Sequence, residues 1–261
     1  MIESKDNPKI KKYFKLFHKK SCRDDLNQFA LEGVRVLKDA LESGIVFDDV
    51  FITKSCISKI RHTEYDIGNL CEYDVISDKV AKHISGVDRP QGAFAIANKP
   101  PGISDKDISK SDFVLALCSI QDPGNLGTLI RTADAFGFSK IILSGCCDIY
   151  NPKVVRSTAG SLFRVSFLEC FDFLNFLQDV DLKKYAAVVD DDALSISELN
   201  LKDEGAVLVI GNEANGLPSE IVKECDKKIT IDMSDAANSL NAAVAGAVCM
   251  YRFREVRKRG F

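Results

Sequence analysis

The chain has 261 residues, 46% of them apolar and 28% charged, with a formal net charge of −3 at pH 7. This composition is typical of a globular protein with one large domain or two modest ones, and it argues against a uniformly basic nucleic-acid binder. No apolar run approaches the roughly 20 residues needed to cross a membrane, so we expect no membrane partner.

The cysteines and histidines predict no metal site. The nine cysteines include no Cys-x-x-Cys pair, and the three histidines are scattered along the chain. We therefore expect reduced thiols, several of them buried as small apolar residues, and a cytoplasmic protein.

Basic residues are concentrated at the two ends of the chain. Residues 1–23 contain eight Lys or Arg and two acids, and residues 252–259 contain five against Glu255. Such patches bind phosphate even when the total charge is acidic, which makes RNA a candidate partner. Charge alone leaves the alternative of solvated helix faces equally open.

The periodicity of the first section predicts a small α/β module over residues 1–97. Its predicted elements are helices over residues 9–20, 33–43 and 55–61, a helix capped by Ser77 or Asp78, and strands over 28–32, 46–53, 71–76 and 92–97. Residues 98–111 follow as a linker, because two adjacent prolines there remove two backbone donors.

The section over residues 112–261 again alternates strands and helices, which predicts a parallel sheet. The predicted strands cover residues 113–119, 140–143, 164–168, 186–190, 206–210 and 228–231, with helices from Asn125, over 171–178 and 218–222, and at the end. Strand 206–210 is continuously apolar and therefore buried on both faces. Ligands of open parallel sheets bind beyond the carboxyl ends of the strands, and three polar loops lie at such ends.

The first loop begins with an Asp-Pro-Gly turn at residues 122–124, and Asn125 is placed to cap the helix that follows. Arg131 falls about two turns into that helix, on a face away from Leu126 and Leu129. The alternative interpretation is a helix cap followed by an ordinary surface arginine.

The second loop follows the buried strand 206–210. Gly211 allows backbone N–H groups to approach a ligand, Gly216 permits a positive φ, and Pro218 suits the first turn of a helix. Turn chemistry alone would also explain these residues. Glu213 has the alternative role of a structural ion pair with an arginine.

The third stretch, residues 229–251, passes from a β-branched strand end through a polar loop into a helix. Asp235 and Asn238 are predicted to cap this helix. It carries small residues on every face, so we expect it to be buried. Ser239 and Asn241 lie at the amino-terminal end of this helix, either as caps or as site residues.

In this order and spacing, the three loops resemble the motifs of the SpoU/TrmH-type RNA ribose 2′-O-methyltransferases of the SPOUT superfamily. The matching residues are Asn125-x-Gly127-x-x-x-Arg131, Gly211-x-Glu213-x-x-Gly216-Leu217, and Ile231-x-Met233 with Ser239-Leu240-Asn241. The segment from Arg156 to Gly160 resembles the family's stretch between its first two motifs. The first section is similar, less specifically, to the ribosomal-protein-like substrate-binding domain of many members.

The resemblance implies S-adenosylmethionine-dependent methylation of a ribose 2′-hydroxyl, on a trefoil-knotted domain that works as a homodimer through the C-terminal domain. Arg131 would hold the adjacent phosphate and stabilise the developing alkoxide, because arginine keeps its proton in ordinary settings. The residues implied to orient Arg131 and the ribose are Asn125, Glu213, Ser239 and Asn241. Those implied for the cofactor, largely through backbone groups, are Gly211, Asn212, Ile231, Met233 and Leu240.

RNA capture is predicted at Arg156 and on the basic helix over residues 9–20, through Lys11, Lys12, Lys15 and Lys19. Phosphate contacts there give affinity without sequence preference. The two-domain layout resembles members that act on ribosomal RNA, which is the first expected substrate, with transfer RNA second.

Two residues of the cofactor loop depart from the family pattern, since Asp232 replaces a usual proline and Asp235 a usual glycine. They motivate the alternative of an RNA-binding module that kept the fold and lost catalysis. A nucleotide-dependent oxidoreductase or a Rossmann-type methyltransferase is disfavoured, because no Gly-x-Gly pair occurs in the chain.

Overall fold

The fold is that of a computed structural model, which describes residues 1–67, 71–201, 205–234 and 239–259, with side chains up to residue 257. The chain forms two compact units. One comprises Met1–Pro101 and Asp148–Phe163, and the other comprises Gly102–Cys147 and Arg164–Phe261.

Helices and strands alternate along the chain, as the periodicity predicts. The helices are α1 (Pro8–His18), α2 (Lys20–Leu26), α3 (Val34–Glu42), α4 (Lys54–Ile60), α5 (Asp78–Ile84), α6 (Pro123–Phe136), α7 (Pro152–Thr158), α8 (Phe173–Asp179), α9 (Ser219–Lys223) and α10 (Ala242–Arg259). The strands are β1 (Gln28–Glu32), β2 (Phe47–Thr53), β3 (Asp74–Ile76), β4 (Ala93–Asn98), β5 (Phe113–Cys118), β6 (Lys140–Ser144), β7 (Ser166–Glu169), β8 (Lys183–Ala187), β9 (Leu194–Ser195), β10 (Ala206–Ile210) and β11 (Lys227–Thr230). The sequence pattern did not predict α2, α7 or β9. Within the described chain, no helix is both long and apolar enough to cross a membrane.

The first unit contains a four-stranded sheet in the order β1-β4-β2-β3, in which β3 is parallel to β2 and the other neighbours are antiparallel. Asn7 caps helix α1, because its side chain accepts a hydrogen bond from the Lys9 amide. Pro8 fits the first turn of the helix. Ser77, one of the two predicted caps, does the same for α5. The side chains of α1 that are wholly buried in the core of this unit are Ile10, Tyr13 and Leu16.

Residues 148–163 belong to the first unit, although in sequence they lie between β6 and β7 of the second. Arg23 and Asp148 form a buried ion pair, with Nη2 and Oδ2 2.6 Å apart. Gly160 approaches Asp39 so closely that a Cβ atom would lie 2.3 Å from Oδ2. The predicted C-terminal domain over residues 112–261 includes this segment, because the pattern of a short helix does not reveal the sheet on which it packs.

The second unit contains a seven-stranded sheet in the order β7-β6-β5-β10-β8-β11-β9, and all neighbouring strands are parallel. Every residue of β5 and β10 is buried, which confirms the predicted parallel sheet with two covered faces. The chain runs outward from β5 to β7 and later returns to place β10 beside β5. The topological switch point of the sheet therefore lies between β5 and β10.

The strand β8 begins earlier than predicted, at Lys183 rather than residue 186. Its first two residues are lysines, and their polarity concealed the strand from the hydrophobic pattern. The structure accommodates them because Asp226 accepts a hydrogen bond from the Lys184 amide at 2.8 Å. The earlier end of β8 leaves residues 188–190 as a loop at the carboxyl edge of the sheet.

Helices cover both faces of the second sheet. The apolar side chains of α8 and α9 join Val207 and Val209 in one core cluster. Because side chains alternate along a strand, Ile210 points to the opposite face, which α10 covers together with α6. A Cβ atom at Gly246 of α10 would lie 2.4 Å from Leu129 Cδ2 and 2.8 Å from Ile210 Cδ1, so a larger residue there would require these side chains to shift.

The helix α10 has an exposed side as well as a buried one. Val244, Val248 and Tyr251 are 51%, 38% and 56% exposed, so within a single chain the predicted burial does not extend to this side. Their spacing places them on one helical stripe. The buried side includes Cys249, Met250 and Phe253.

Candidate active site

A cavity of about 790 Å³ lies at the carboxyl ends of β8, β10 and β11. Its volume falls within the roughly 300–1,000 Å³ of small-molecule sites. Glu213 and Ser239 line it, whereas Asn125, Arg131 and Asn241 do not. All five residues predicted for the cofactor line it, namely Gly211, Asn212, Ile231, Met233 and Leu240.

The loop after β10 closes on itself, so that residues 212–216 form a tight hydrogen-bonded ring of backbone. Asn212 and Gly216 exchange two backbone hydrogen bonds, of 3.0 and 2.9 Å. A Cβ atom at Gly211 would lie 2.4 Å from the carbonyl carbon of Gly216 and 2.6 Å from the Leu217 nitrogen. Gly211 is therefore required by the close approach of backbone, and this approach keeps one wall of the cavity free of side chain.

The Asn212 side chain is fully used inside the protein. Its Oδ1 accepts hydrogen bonds from the amides of Ala214 at 2.9 Å and Asn215 at 3.2 Å. Its Nδ2 donates to the Ser119 carbonyl at 2.8 Å. Ser119 has a φ of 58°, uncommon for a residue other than glycine, and the sequence analysis did not identify it. Asn212 thus joins the loop after β10 to the end of β5.

Asp122, not Asn125, caps α6, and this corrects the sequence prediction. The Asp122 carboxylate accepts the Asn125 amide at 2.8 Å, and Pro123 occupies the first helical position. The Asn125 side chain is therefore available for other contacts. It donates from Nδ2 to Glu213 Oε1 at 2.9 Å and accepts from Asn241 Nδ2 at 3.0 Å.

Asn241 links this pair to the start of α10. Its Oδ1 accepts the amides of Ala243 at 2.9 Å and Val244 at 3.2 Å, so it acts as a helix cap. Backbone amides are donors only, which fixes the orientation of the Asn241 amide group and then that of Asn125. The predicted caps Asp235 and Asn238 lie outside the described residues.

The result is a directional relay of hydrogen bonds from the amino end of α10 through Asn241 and Asn125 to Glu213. Its final acceptor is a carboxylate, whose hydrogen bonds are stronger than those of neutral acceptors. In the part of the chain that is described, Glu213 forms no ion pair with an arginine, so the alternative suggested by the sequence finds no support. The relay brings together residues from all three motif loops.

Arg131 lies on the exposed face of α6, whereas Leu126 and Leu129 are buried, as predicted. Among the described residues, none forms a hydrogen bond or ion pair with its guanidinium group. An arginine with five free donors is suited to bind a phosphate or a developing oxyanion. An ordinary surface arginine would be equally exposed. A functional test is needed to distinguish that alternative from a role of Arg131 in the reaction.

The loop predicted to bind the cofactor is anchored at Asp232, the first of the two departures from the family pattern. Ser195 donates from Oγ to Asp232 Oδ2 at 2.6 Å. Arg252 of α10 holds the segment that follows Ser195, because it donates a hydrogen bond of 2.6 Å to the Ser197 carbonyl. The Ser195–Asp232 hydrogen bond restrains residue 232 through its side chain, whereas the usual proline would restrain the backbone at this position. Asp235, the second departure, lies outside the described residues.

Two further features of the cavity were not predicted. Asp190 and Lys228 form an ion pair of 2.5 Å on its wall, and this hydrogen bond lowers the pKa of Asp190. Cys249 also lines the cavity, where burial raises the pKa of its thiol to about 12. Its thiol therefore stays protonated near neutral pH, which makes it a poor nucleophile. In the described chain, no group of His, Cys, Asp or Glu side chains is placed to hold a metal ion.

The predicted RNA-binding lysines lie on α1 and the residue after it, in the first unit. Lys11 pairs with Asp6 at 2.8 Å, and Lys12 pairs with Asp48 at 2.7 Å. The other two are exposed and have no side-chain partner in the described chain, namely Lys15 and Lys19. Half of the predicted set is thus free to contact a phosphate.

Arg156 lies on α7, which also belongs to the first unit. Its Nη1 is 3.9 Å from the nearly buried carboxylate of Glu32, at the limit of an ion pair. Its side chain remains 37% exposed, so RNA contact through it stays a prediction.

A comparison with known proteins identifies the family. The model of the SpoU rRNA methylase family matches residues 112–251, more than half of the chain. The chain belongs to the SpoU rRNA methylase family. The model of the MRM3-like substrate binding domain matches residues 7–95.

Relatives of this SpoU-family protein are similar over nearly its whole length. The 23S rRNA (guanosine(2553)-2′-O)-methyltransferase RlmP of Bacillus subtilis is 29% identical over 256 residues, covering 97% of this chain and 98% of that protein. The 23S rRNA (adenosine(1067)-2′-O)-methyltransferase of Streptomyces laurentii is 27% identical and covers 89% and 88%. The AdoMet-bound rRNA methyltransferase from Sinorhizobium meliloti has a TM-score of 0.84 at 28% identity, covering 97% of each chain.

These matches confirm the predicted family, the α/β fold with an N-terminal substrate-binding domain, and the enzyme class of RNA 2′-O-methyltransferase. They also favour the catalytic interpretation over an RNA-binding module without catalysis. The roles of individual residues are not tested by them and remain predictions.

Proposed function

We propose that this SpoU-family protein methylates a ribose 2′-hydroxyl of ribosomal RNA with S-adenosylmethionine as donor. The observation that carries the proposal is the relay from Asn241 through Asn125 to Glu213, which lies between the cofactor cavity and the helix of Arg131. A protein that had lost catalysis would have no need to keep these three polar side chains mutually oriented.

The cavity fits S-adenosylmethionine in size and in the character of its walls. Gly211 leaves backbone without a side chain at one wall, and Ile231, Met233 and Leu240 supply apolar contacts. Asn212 contributes through its backbone, because its side chain is engaged elsewhere. When bound, the cofactor supplies an activated methyl group, so the protein must position the hydroxyl and help remove its proton.

Arg131 and the relay perform those tasks in this proposal. The Arg131 guanidinium holds the phosphate next to the target ribose and lowers the energy of negative charge developing on the 2′-oxygen. Glu213, fixed by Asn125, orients the ribose and Arg131. Ser239 lines the cavity beside Leu240 and completes the contacts to the ribose.

Ribosomal RNA is the proposed substrate, and transfer RNA is the second candidate. Both relatives named above act on 23S ribosomal RNA, yet at different nucleotides with different bases. The modified nucleotide of this chain is therefore not transferred from them. Incubation of the protein with labelled S-adenosylmethionine and ribosomal RNA, followed by digestion to nucleosides, is expected to yield a 2′-O-methylnucleoside. Label in a base, or in transfer RNA alone, would contradict the proposal.

The proposed division of labour assigns RNA binding to residues 1–97, the connection to 98–111, and methyl transfer to 112–261. The family models that match residues 7–95 and 112–251 support it. Residues 148–163 pack with the first unit, so the functional and the physical boundaries differ there.

Replacing Lys15 and Lys19 with glutamine is expected to weaken RNA binding and to reduce its salt dependence. Each lost phosphate contact lowers the log–log salt slope by about 0.7–0.9, so the pair should lower it by about 1.5. The measurement is RNA affinity across a salt series. Lys11→Gln with Lys12→Gln is the matched control, because those lysines already pair with Asp6 and Asp48. Equal losses in both double variants would contradict a specific role of the exposed pair.

We also propose a homodimer through the C-terminal domain, with the chain of that domain threaded as a trefoil knot, in the cytoplasm. The exposed apolar stripe of Val244, Val248 and Tyr251 supports the dimer, because a stripe of this kind is self-complementary across a twofold axis. The knot rests on the family resemblance. The cytoplasm rests on the ribosomal RNA substrates of the bacterial relatives.

Val248→Glu is expected to convert the dimer to a monomer, since it places a charge within an apolar interface. Sedimentation velocity measures the result. Val46→Glu, at an exposed valine of the first unit, is the control and should leave the dimer intact. A wild-type protein that sediments as a monomer at micromolar concentration would contradict the proposal.

A further inference from the structure

The first unit contains a cavity of about 500 Å³, whose lining includes none of the residues predicted for catalysis, cofactor binding or RNA capture. It is formed by the end of β2, the outer face of α5 and the turn before β4. Its volume is large enough for a single nucleotide. The residues on which its chemistry depends are Ser55, Asp78, Lys82, Asp88 and Arg89.

The back wall of this cavity is rigid. Thr53 is buried, and its Oγ1 accepts the Cys56 amide at 3.1 Å and shares a hydrogen bond of 3.0 Å with Ser55 Oγ. A Cβ atom at Gly92 would lie 2.3 Å from Thr53 Oγ1. Glycine at residue 92 therefore allows the backbone to lie against Thr53, and its φ of 88° also favours glycine.

Among the described residues, no ion pair joins the charged side chains of this cavity to one another. Lys82 and Arg89 are exposed, and neither has a side-chain partner in the described chain. By contrast, Lys9 of the same unit lies 2.8 Å from both Asp49 and Asp74.

The carboxylates balance the two cations. Asp78 accepts a weak hydrogen bond of 3.3 Å from Ser55 Oγ, and Asp88 lies beside Arg89 in the sequence. Two cations and two carboxylates give the cavity little net charge, so net charge alone favours neither a simple anion nor a simple cation. They match a ligand that presents both a phosphate and hydrogen-bond donors.

We infer that this cavity receives an unstacked nucleotide of the RNA substrate, with its phosphate on Arg89 and Lys82 and its base edge toward Asp88 and Asp78. Sequence-specific recognition of RNA uses splayed nucleotides whose base edges are hydrogen-bonded, and carboxylates accept from exocyclic amino groups. The site would therefore favour cytosine, adenine or guanine over uracil. The inference rests on the proposed RNA substrate and adds a contact that the basic helix α1 does not supply.

The test measures binding of 23S ribosomal RNA transcribed in vitro to the full chain with Lys82→Gln and Arg89→Gln. Affinity is expected to fall about tenfold or more, since bidentate and charge-assisted contacts to phosphate are lost, and the salt slope should fall by about one. Lys59→Gln with Lys79→Gln is the control, because these exposed lysines of α4 and α5 remove the same charge outside the cavity. Equal losses in the two double variants, or no loss in the first, would overturn the inference.

Two further measurements separate the possible outcomes. Asp88→Asn should change the preference among RNA sequences without changing the salt slope, because it alters a base contact and no phosphate contact. Free adenosine monophosphate that binds this cavity more tightly than the RNA does would identify a site for free nucleotides and overturn the inference. Failure of the proposed function has a different signature, namely no methyl transfer by the wild-type protein.

Discussion

Arg131→Ala is expected to lower the rate of methyl transfer by at least about 10²-fold, the effect of removing one stabiliser of a developing oxyanion. Affinity for S-adenosylmethionine should stay within about twofold, because Arg131 does not line the cofactor cavity and has no partner to release in the described chain. Single-turnover methylation of ribosomal RNA measures the first quantity, and calorimetry measures the second.

The control for this variant is Thr128→Ala, one turn earlier on the same exposed face of α6. Within the described chain, the one hydrogen bond of the Thr128 hydroxyl goes to the Gly124 carbonyl of the same helix, so loss of this hydroxyl should change the rate little. Wild-type activity of the Arg131 variant would show that Arg131 is an ordinary surface arginine. Equal loss of activity in both variants would point to damage of the helix.

The second large effect is expected at Gly211, where alanine should lower cofactor affinity by more than tenfold. Its Cβ atom would collide with the backbone of Gly216 and Leu217, and backbone cannot rotate away as a side chain can. The ring after β10 would have to open and move Glu213. Calorimetry with S-adenosylmethionine and a thermal melt together measure the change.

Gly216→Ala is the matched control in the same ring. A Cβ atom there meets nothing within 4 Å, so only its φ of 64° opposes the substitution. That strain is of order 1–2 kcal/mol, and the variant should fold and bind the cofactor with a small loss. Gly211→Ala with wild-type cofactor affinity would contradict the role assigned to the ring.

The hydrophobic pattern predicted the second sheet well because β5 and β10 are continuously apolar and buried on both faces. The pattern failed where a strand contains polar residues. β8 starts with two lysines, so its beginning was placed three residues late. The helix α7 was missed, although Asn151-Pro152 before it is a helix-start signal that could have revealed it.

The site residues could be predicted from spacing and family resemblance. Their contacts with one another could not be predicted from the sequence. Asn125 and Asn241 are 116 residues apart, and nothing in either local pattern shows that their amides meet. The cap of α6 was assigned to Asn125 because Asp122 and Asn125 are both good caps, and only the geometry distinguishes them. Ser119 and Ser195 were missed because their roles depend on distant partners, Asn212 and Asp232.

The helix α10 explains why the third motif is central to the site. Asn241 caps its first turn and begins the relay, Gly246 allows it to lie against α6 and β10, and Arg252 holds the segment that anchors Asp232. One helix thus positions residues proposed for catalysis and the loop proposed to bind the cofactor. Its exposed stripe is the surface proposed for the second copy of the chain.

The most direct test of the central claim is a map of ribose methylation across the ribosomal RNA of the source cells. Three strains are compared, carrying the wild-type gene, a deletion, or Arg131→Ala at wild-type protein levels. We expect one ribose that is methylated in the wild-type strain to lack its methyl group in both other strains. An identical methylation map in all three strains would contradict it.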